Sequence, residues 1–389
     1  MVLDRAYLDH NATSPLRPEA AAAMAAVAGC GNASSIHEEG RRARAALERG
    51  RAQVSALAGA SPGDVIFTAG GTEANASVLR PGALLAPDGS PVERLVASAT
   101  EHASVLSGHG FRADAVEIVG VDGAGRVRLD HLADLLAVDG RPAVVSVQVA
   151  NSETGVVQPI VEVARVARTH GAAVHADAVQ AAGRLPLDMA ALGIDALTLS
   201  AHKLGGPMGV GALVVASARR GPAAPLIRGG GQENGWRSGT ENVPGIVGFG
   251  AAAEVAAQDL GEVAARLRGF RDAASAVVRG LAPDAVIFGD GAERLPNTLC
   301  FAIPGLKAET ALIALDLSGI AVSSGSACSS GKVGRSHVLA AMGAARDVSA
   351  GAIRLSFGWP SAARDVERFA EGLETVLRRL YETGRARAA

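Results

Sequence analysis

The apolar positions of this chain fall into short, nearly unbroken runs separated by stretches of helical period. Runs rich in valine, isoleucine and leucine occupy 65–68, 94–97, 115–118, 144–149, 173–176, 196–199 and 211–215. Several lack the alternation of a half-exposed strand, as expected of strands covered on both faces. Some gaps carry helical spacing, as over 160–169. Such alternation predicts an α/β fold with a doubly wound, mainly parallel sheet of those seven strands between helices. Ahead of the sheet, an alanine-rich helix is predicted over about 18–28. A longer one follows over about 36–57, with N-caps offered by Gly31-Asn32-Ala33-Ser34-Ser35.

The texture changes over 245–250, where glycines cluster. A long amphipathic helix is predicted over 252–281, with Val255, Leu260, Val263, Leu267, Phe270, Val277 and Leu281 at helical spacing. Short strands at 285–288, 297–303 and 353–356, a helix over 308–317 and a last amphipathic helix (Val366, Phe369, Leu373, Val376, Leu380) follow. They predict a smaller C-terminal α+β domain, with a Ser/Gly-rich loop over 323–334. The expected division is a large domain over 15–250 and a small domain made of 1–14 and 251–389.

Composition narrows the function classes. An apolar content of 48% with 20% charged residues and a net charge of −2 is ordinary for a globular protein. It leaves no basic footprint for nucleic acid or an acidic membrane surface. No apolar run reaches the roughly 18–20 residues that span a bilayer. The polar first 15 residues carry no secretory signal, so a cytoplasmic location is expected. Three widely spaced cysteines, Cys30, Cys300 and Cys328, argue against a disulfide framework and a stable metal site.

Only three of the 37 basic residues are lysines, and one of them, Lys203, stands at a strand exit in Ser200-Ala201-His202-Lys203 before a Gly-Gly-Pro break. It is either an amine nucleophile or a lysine reaching for solvent. In Gly70-Gly71-Thr72-Glu73-Ala74-Asn75, two glycines and a threonine open a helix. Free N–H groups and a hydroxyl there suit a phosphate, or a plain helix cap. Asp177 ends an apolar strand and needs a cation, either an arginine or a protonated heterocycle nitrogen. Phosphate cradle, acid and lysine in this order are the parts a pyridoxal phosphate site needs.

Further candidates are single residues. His102 follows a strand, where it either stacks on an aromatic cofactor and moves protons or caps a loop. Arg354, in an apolar run, wants a carboxylate from the protein or from a substrate. Cys328 sits in Ser323-Ser324-Gly325-Ser326-Ala327-Cys328, a setting unlike that of a buried cysteine. Its unperturbed pKa of about 8.5 needs one cationic neighbour to make the thiolate dominant at pH 7. Cys30 and Cys300 lie beside or within apolar segments and are expected to pack.

With these motifs in hand, the chain resembles the cysteine desulfurases of the class V aminotransferase family. The resemblance runs through Gly71-Thr72-Glu73-Ala74-Asn75, Glu101-His102, Asn151-Ser152-Glu153-Thr154-Gly155, Asp177-Ala178-Val179-Gln180 and Ser200-Ala201-His202-Lys203. It continues through Arg237-Ser238-Gly239-Thr240-Glu241-Asn242, the cysteine loop and Ser336-His337-Val338-Leu339, and the long loop is similar to the NifS/IscS-type branch. Ala33, Ser152, Asn234 and Arg335 depart from residues common in the family, and none removes a group named here.

The resemblance implies a fold-type I enzyme with pyridoxal 5′-phosphate on Lys203. It implies Asp177 at the pyridine nitrogen, His102 on the ring, and Gln180 at the phenolic oxygen. Gly71, Thr72, Ser200 and His202 would bind the phosphate, joined by Thr240 of a partner subunit in a homodimer. Asn151 and Arg354 would hold the carboxylate of L-cysteine. Cys328 would be the nucleophile that carries sulfur as a persulfide to an acceptor such as an iron–sulfur scaffold. On the same resemblance, Cys328 is at most a transient iron–sulfur ligand. Other outcomes on this fold are a selenocysteine lyase, an aminotransferase or epimerase, and a non-catalytic sulfur-relay scaffold.

Overall fold

The computed structural model describes residues 5–324 and 336–388. Strand β1 (Ala6–Tyr7) belongs to a peripheral pair. The central sheet consists of β2 (Val65–Thr68), β3 (Arg94–Ser98), β4 (Val116–Val119), β5 (Ala143–Ser146), β6 (Ala173–Asp177), β7 (Ala196–Ser200) and β8 (Gly211–Val215). Their order is β2-β8-β7-β6-β5-β3-β4, and β8 alone runs against its neighbours.

The unbroken apolar runs have a direct cause, because alternate residues of one strand enter opposite cores. Val65, Phe67, Val145, Leu197 and Val214 face one cluster, which also takes in α1 (Pro18–Ala26), α2 (Glu38–Ala58), α5 (Leu129–Val138) and α6 (Ile160–Thr169). Ile66, Val144, Ala196 and Leu213 face the other, against α3 (Gly71–Val78) and α4 (Ala103–Leu106). Burial on both faces removes any reason for a polar position inside the strand. Strand β5 stops at Ser146, earlier than the apolar run predicts, yet Val147 and Val149 still donate N–H to His175 and Asp177 of β6.

The predicted helix over 252–281 is two helices. After α7 (Met189–Leu192), α8 spans Val243–Gln258 and α9 spans Leu260–Leu281, with Asp259 between them at φ −89°, ψ 0°. The glycines over 245–250 break no helix. They lie inside α8, which begins at Asn242, whose side chain accepts from the Gly245 N–H. A Cβ on Gly250 would lie 2.6 Å from Gly50 Cα, and one on Gly248 would lie 2.6 Å from Met24 Cγ. Glycine is therefore required for close packing of α8 on α2 and α1, which overrides its poor helix propensity.

The remaining elements build two further sheets around an apolar cluster of their own. Strands β9 (Val286–Ile287) and β10 (Thr298–Ala302), then β11 (Ile320–Ala321), β12 (Ser323–Ser324) and β13 (Ile353–Ser356), are joined by α10 (Ala308–Leu317), α11 (His337–Ala341) and α12 (Arg346–Ser349), and α13 (Ala363–Ala388) closes the chain. β12-β13-β10-β9 is antiparallel, while β1 pairs in parallel with β11. The aromatic residues Phe301, Phe357 and Phe369 centre a core shared by α9, β10, β13 and α13. Among the described residues no helix is long and apolar enough to cross a membrane, and no group of three or more His, Cys, Asp or Glu side chains is placed to hold a metal.

Candidate active site

The carboxyl ends of β2, β3, β5, β6 and β7 open onto a cavity of about 340 Å³, lined by Gly71, Thr72, His102, Gln180, His202 and Arg354 among others. This is where open α/β sheets bind ligands, because the strands end and the following turns diverge. Asp177, Ser200 and Lys203 line the same cavity. Asn151 and Thr240 do not. The Asn151 amide holds its own turn, accepting from the N–H groups of Glu153 and Thr154 at 2.9 Å each and donating to Thr100 O. Thr240 is exposed and lines a separate cavity of about 110 Å³ with Arg237 and Glu241.

Asp177 is the last residue of β6. One carboxylate oxygen accepts from the Val179 N–H at 2.9 Å and the other from Asn75 Nδ2 at 2.8 Å. Lys203 ends a short turn, 201–203, after β7, and its Nζ donates to Asn11 O at 2.7 Å and Ala12 O at 2.8 Å. Gly205 then takes φ +91°, a conformation glycine adopts without a Cβ penalty, so the Gly-Gly-Pro break turns the chain sharply behind the lysine.

The phosphate cradle lies at the start of α3. Gly70 caps it without a side chain, and a Cβ on Gly71 would approach Val179 Cγ2 to 2.9 Å and Ser200 Cβ to 3.6 Å. The first turn of α3 thus approaches Ser200 with no side chain between them, which leaves the helix N-terminus open to an anion. His202 faces the same cavity, with Nδ1 3.1 Å from Thr13 Oγ1. Its pKa is lowered to about 4 by burial, then by Lys203 and Arg184, so it enters any contact as a neutral imidazole.

His102 caps a helix and also borders the cavity. As the N-cap of α4 its Nδ1 accepts from the Ser104 N–H at 3.1 Å, and its ring borders the cavity. Burial depresses its pKa, with Asp177 opposing and Lys203 and His337 assisting. Beside it, the Glu101 carboxyl is fully buried and pushed well up by desolvation. One of its oxygens accepts from the Gln148 N–H at 2.6 Å.

Arg354 on β13 is buried and donates to Asp9 Oδ1 at 2.6 Å and to Ser152 O at 3.1 Å. Among the described residues its Nε has no hydrogen-bond partner, nor has Asn75 Oδ1. Both belong to residues lining the cavity, and buried polar atoms without partners mark where a polar ligand would bond. An amine, an acid held by two donors, a bare helix end and a guanidinium together fit pyridoxal 5′-phosphate with an amino-acid substrate.

Cys328 lies outside the described residues, but the chain on either side of it is placed. Ser323 and Ser324 pair with Arg354 and Ile353. Ser336 caps α11 and donates to Glu153 Oε2 at 2.6 Å, and His337 Nε2 donates to Glu101 O at 2.9 Å. Burial raises the Glu153 pKa to about 7. Cys300 is buried on β10 with its thiol pushed up by burial, and Cys30 packs against the large core, as expected of both.

Sequence reasoning missed Asn11, Ala12, Ser104, Gln148 and Arg184. For Asn11 and Ala12 there was no signal, since only folding brings them to Lys203. Asn75 was quoted within a motif but given no role. Its place one turn after Gly71 marked it as facing the same side as the cradle.

The aminotransferase class-V family model matches residues 6–369. A cysteine desulfurase of Cereibacter sphaeroides is 43% identical over 97% of this chain and 97% of its own length. The X-ray structure of a NifS-like protein from Rickettsia africae superposes with a TM-score of 0.86 at 33% identity, covering 96% of this chain and 99% of that one. SspA in complex with cysteine superposes with a TM-score of 0.75 at 27% identity, covering 90% and 98%.

Proposed function

This chain belongs to the class V aminotransferase family, whose cofactor is pyridoxal 5′-phosphate, and from that premise we propose that it is a cysteine desulfurase converting L-cysteine to L-alanine. One observation carries the reading. Lys203, Asp177, His102 and the Gly71–Thr72 helix end share a single cavity with Arg354, the group that would take an amino-acid carboxylate. When bound, the cofactor supplies a carbonyl carbon for amines and a ring that delocalises electrons from the substrate's carbon skeleton.

The residues of this chain supply the rest. Thr72, Ser200, His202 and the first-turn N–H groups of α3 hold the phosphate. Asp177, oriented by its two donors, would face the ring nitrogen. His102, whose pKa burial lowers, would stack on the ring and could take or return a proton, and Lys203 would hold the cofactor through its amine. Arg354 fixes the substrate carboxylate, leaving the substrate sulfur open to attack. Cys328 thiolate forms a bond to that sulfur as the carbon–sulfur bond breaks. The carbon keeps the electron pair, takes a proton and leaves as alanine, while Cys328 keeps a persulfide.

Several finer statements belong to the same proposal. Thr240, exposed and away from the cavity of its own chain, would reach the phosphate in a second subunit, which makes the enzyme a homodimer. The persulfide would pass to an acceptor protein such as an iron–sulfur scaffold in the cytoplasm. Residues 15–250 would form the cofactor domain and the remainder the domain that carries Cys328. Incubation with L-cysteine and a thiol reductant should give alanine and sulfide in equal amounts. Cys328→Ala should retain the cofactor's visible absorbance and lose turnover; full turnover in that variant would overturn the proposal.

A further inference from the structure

Arg184 is buried directly behind the lysine turn, and no ion pair joins it to a carboxylate among the described residues. One guanidinium nitrogen donates to Gln180 O at 2.8 Å and to Gln180 Oε1 at 2.6 Å. The other donates to His10 O and to Lys203 O, at 3.2 Å each. All its acceptors are therefore neutral oxygens, an unusual setting for a buried cation, which ordinarily needs an anion nearby.

Two consequences follow from those bonds. With Oε1 of Gln180 taken by the guanidinium, the amide has only one orientation, and its Nε2 donates to Asn11 O at 3.0 Å. Toward the cavity, Gln180 can then offer N–H and not a carbonyl oxygen. A phenolate would be repelled by the carbonyl and attracted by the N–H. The charge also acts through space on its neighbours. Lys203 follows β7, and Arg354, which Asp9 partners, lies on β13, so Arg184 adds a further positive charge behind the lysine turn. In keeping with this, Arg184 helps to keep His202 and His10 neutral, while burial and then Arg354 bring its own pKa to about 9.

We propose that Arg184 is a positioning residue of the cofactor site, locking the Gln180 amide as a donor and supplying the buried positive charge that the anionic cofactor neutralises. The proposal rests on pyridoxal phosphate as the cofactor and needs no assumption about the substrate. A cation close to the nitrogen that joins Lys203 to the cofactor disfavours its protonation, so removing the cation favours it.

The test compares wild type, Arg184→Lys and Arg184→Met. It uses the pH midpoint of the visible absorbance of each cofactor-loaded protein and the affinity of each cofactor-free protein for pyridoxal phosphate. Arg184→Met should raise the midpoint by about half a unit or more and weaken cofactor binding about tenfold. Arg184→Lys keeps the charge and loses the fork, so its midpoint should stay near wild type while binding still weakens. Wild-type midpoint and affinity in Arg184→Met would overturn the proposal. If that variant does not fold, wild-type affinity in Arg184→Lys overturns it, and so does a wild-type protein that takes up no pyridoxal phosphate. Variants that show these shifts beside a wild type that makes no alanine from cysteine would defeat the desulfurase reading and leave this one standing.

Discussion

Asn75 donates through Nδ2 to the Asp177 carboxylate at 2.8 Å, so the helix that offers the phosphate cradle also holds the acid at the end of β6. The same nitrogen lies 2.9 Å from Ser104 Oγ, whose backbone N–H is capped by His102. The start of α3, Asp177 and His102 thus belong to one hydrogen-bonded unit. Asn75→Ala should remove a charge-assisted bond worth about 1.5–3 kcal/mol. A titration of cofactor-free protein with pyridoxal phosphate should show binding weakened about tenfold or more. Unchanged affinity would show that Asp177 needs no such support.

Gly71 leaves no room for a side chain, since its Cβ would press on Val179 Cγ2 at 2.9 Å. Gly71→Ala should cost about 1–3 kcal/mol of folding stability through overpacking. It should also push the first turn of α3 away from Ser200, so cofactor binding falls by more than the stability loss alone accounts for. Thermal unfolding and cofactor titration of the same preparation separate the two effects.

Arg354 contacts Asp9 and Ser152 with its two terminal nitrogens and leaves Nε unpartnered. Lysine cannot reproduce that fork. Arg354→Lys should therefore raise KM for cysteine about tenfold or more while the absorbance of the bound cofactor stays unchanged. A loss of that absorbance would move Arg354 from the substrate to the cofactor.

Buried histidines set the acid stability. His175, bonded to Ser146 and Thr198 between β5 and β7, is lowered to about 4, as is His202, and His10 is lowered to about 3. Each is neutral in the folded chain and protonated in the unfolded chain below about 6.5. Their contribution is full above that pH and is lost as pH falls toward the folded values. Glu101 and Glu153, whose pKa values are raised, act in the opposite sense above about 4.5. The urea midpoint of the cofactor-free protein should decline gently from pH 6.5 and steeply below about 4.5. His175→Gln should flatten the decline by up to roughly 3 kcal/mol. A decline of equal steepness in that variant would assign it to other groups.

The chain alone determined the sheet and most of the chemistry. Strands covered on both faces must be apolar throughout, and functional side chains of such a sheet must stand at strand exits. Apolar runs therefore located β2 to β8, and Asp177, His102 and Lys203 stand among the polar residues within a few positions after them. Those signals are local and survive in one dimension. The start of α8 at Val243 was missed because glycine reads as a breaker unless the neighbour it admits is known, and the break at Asp259 was missed because apolar spacing continues across it.

What only the tertiary structure decided is which distant groups touch. Asn11 and Ala12 accept from Lys203. Arg184 locks Gln180 from beneath, and Asp9 occupies Arg354. These contacts depend on side chains brought together across sheet and domain, and no periodicity encodes them. A hydrogen bond needs its partners placed to within a few tenths of an ångström, and that placement comes from packing of the whole core.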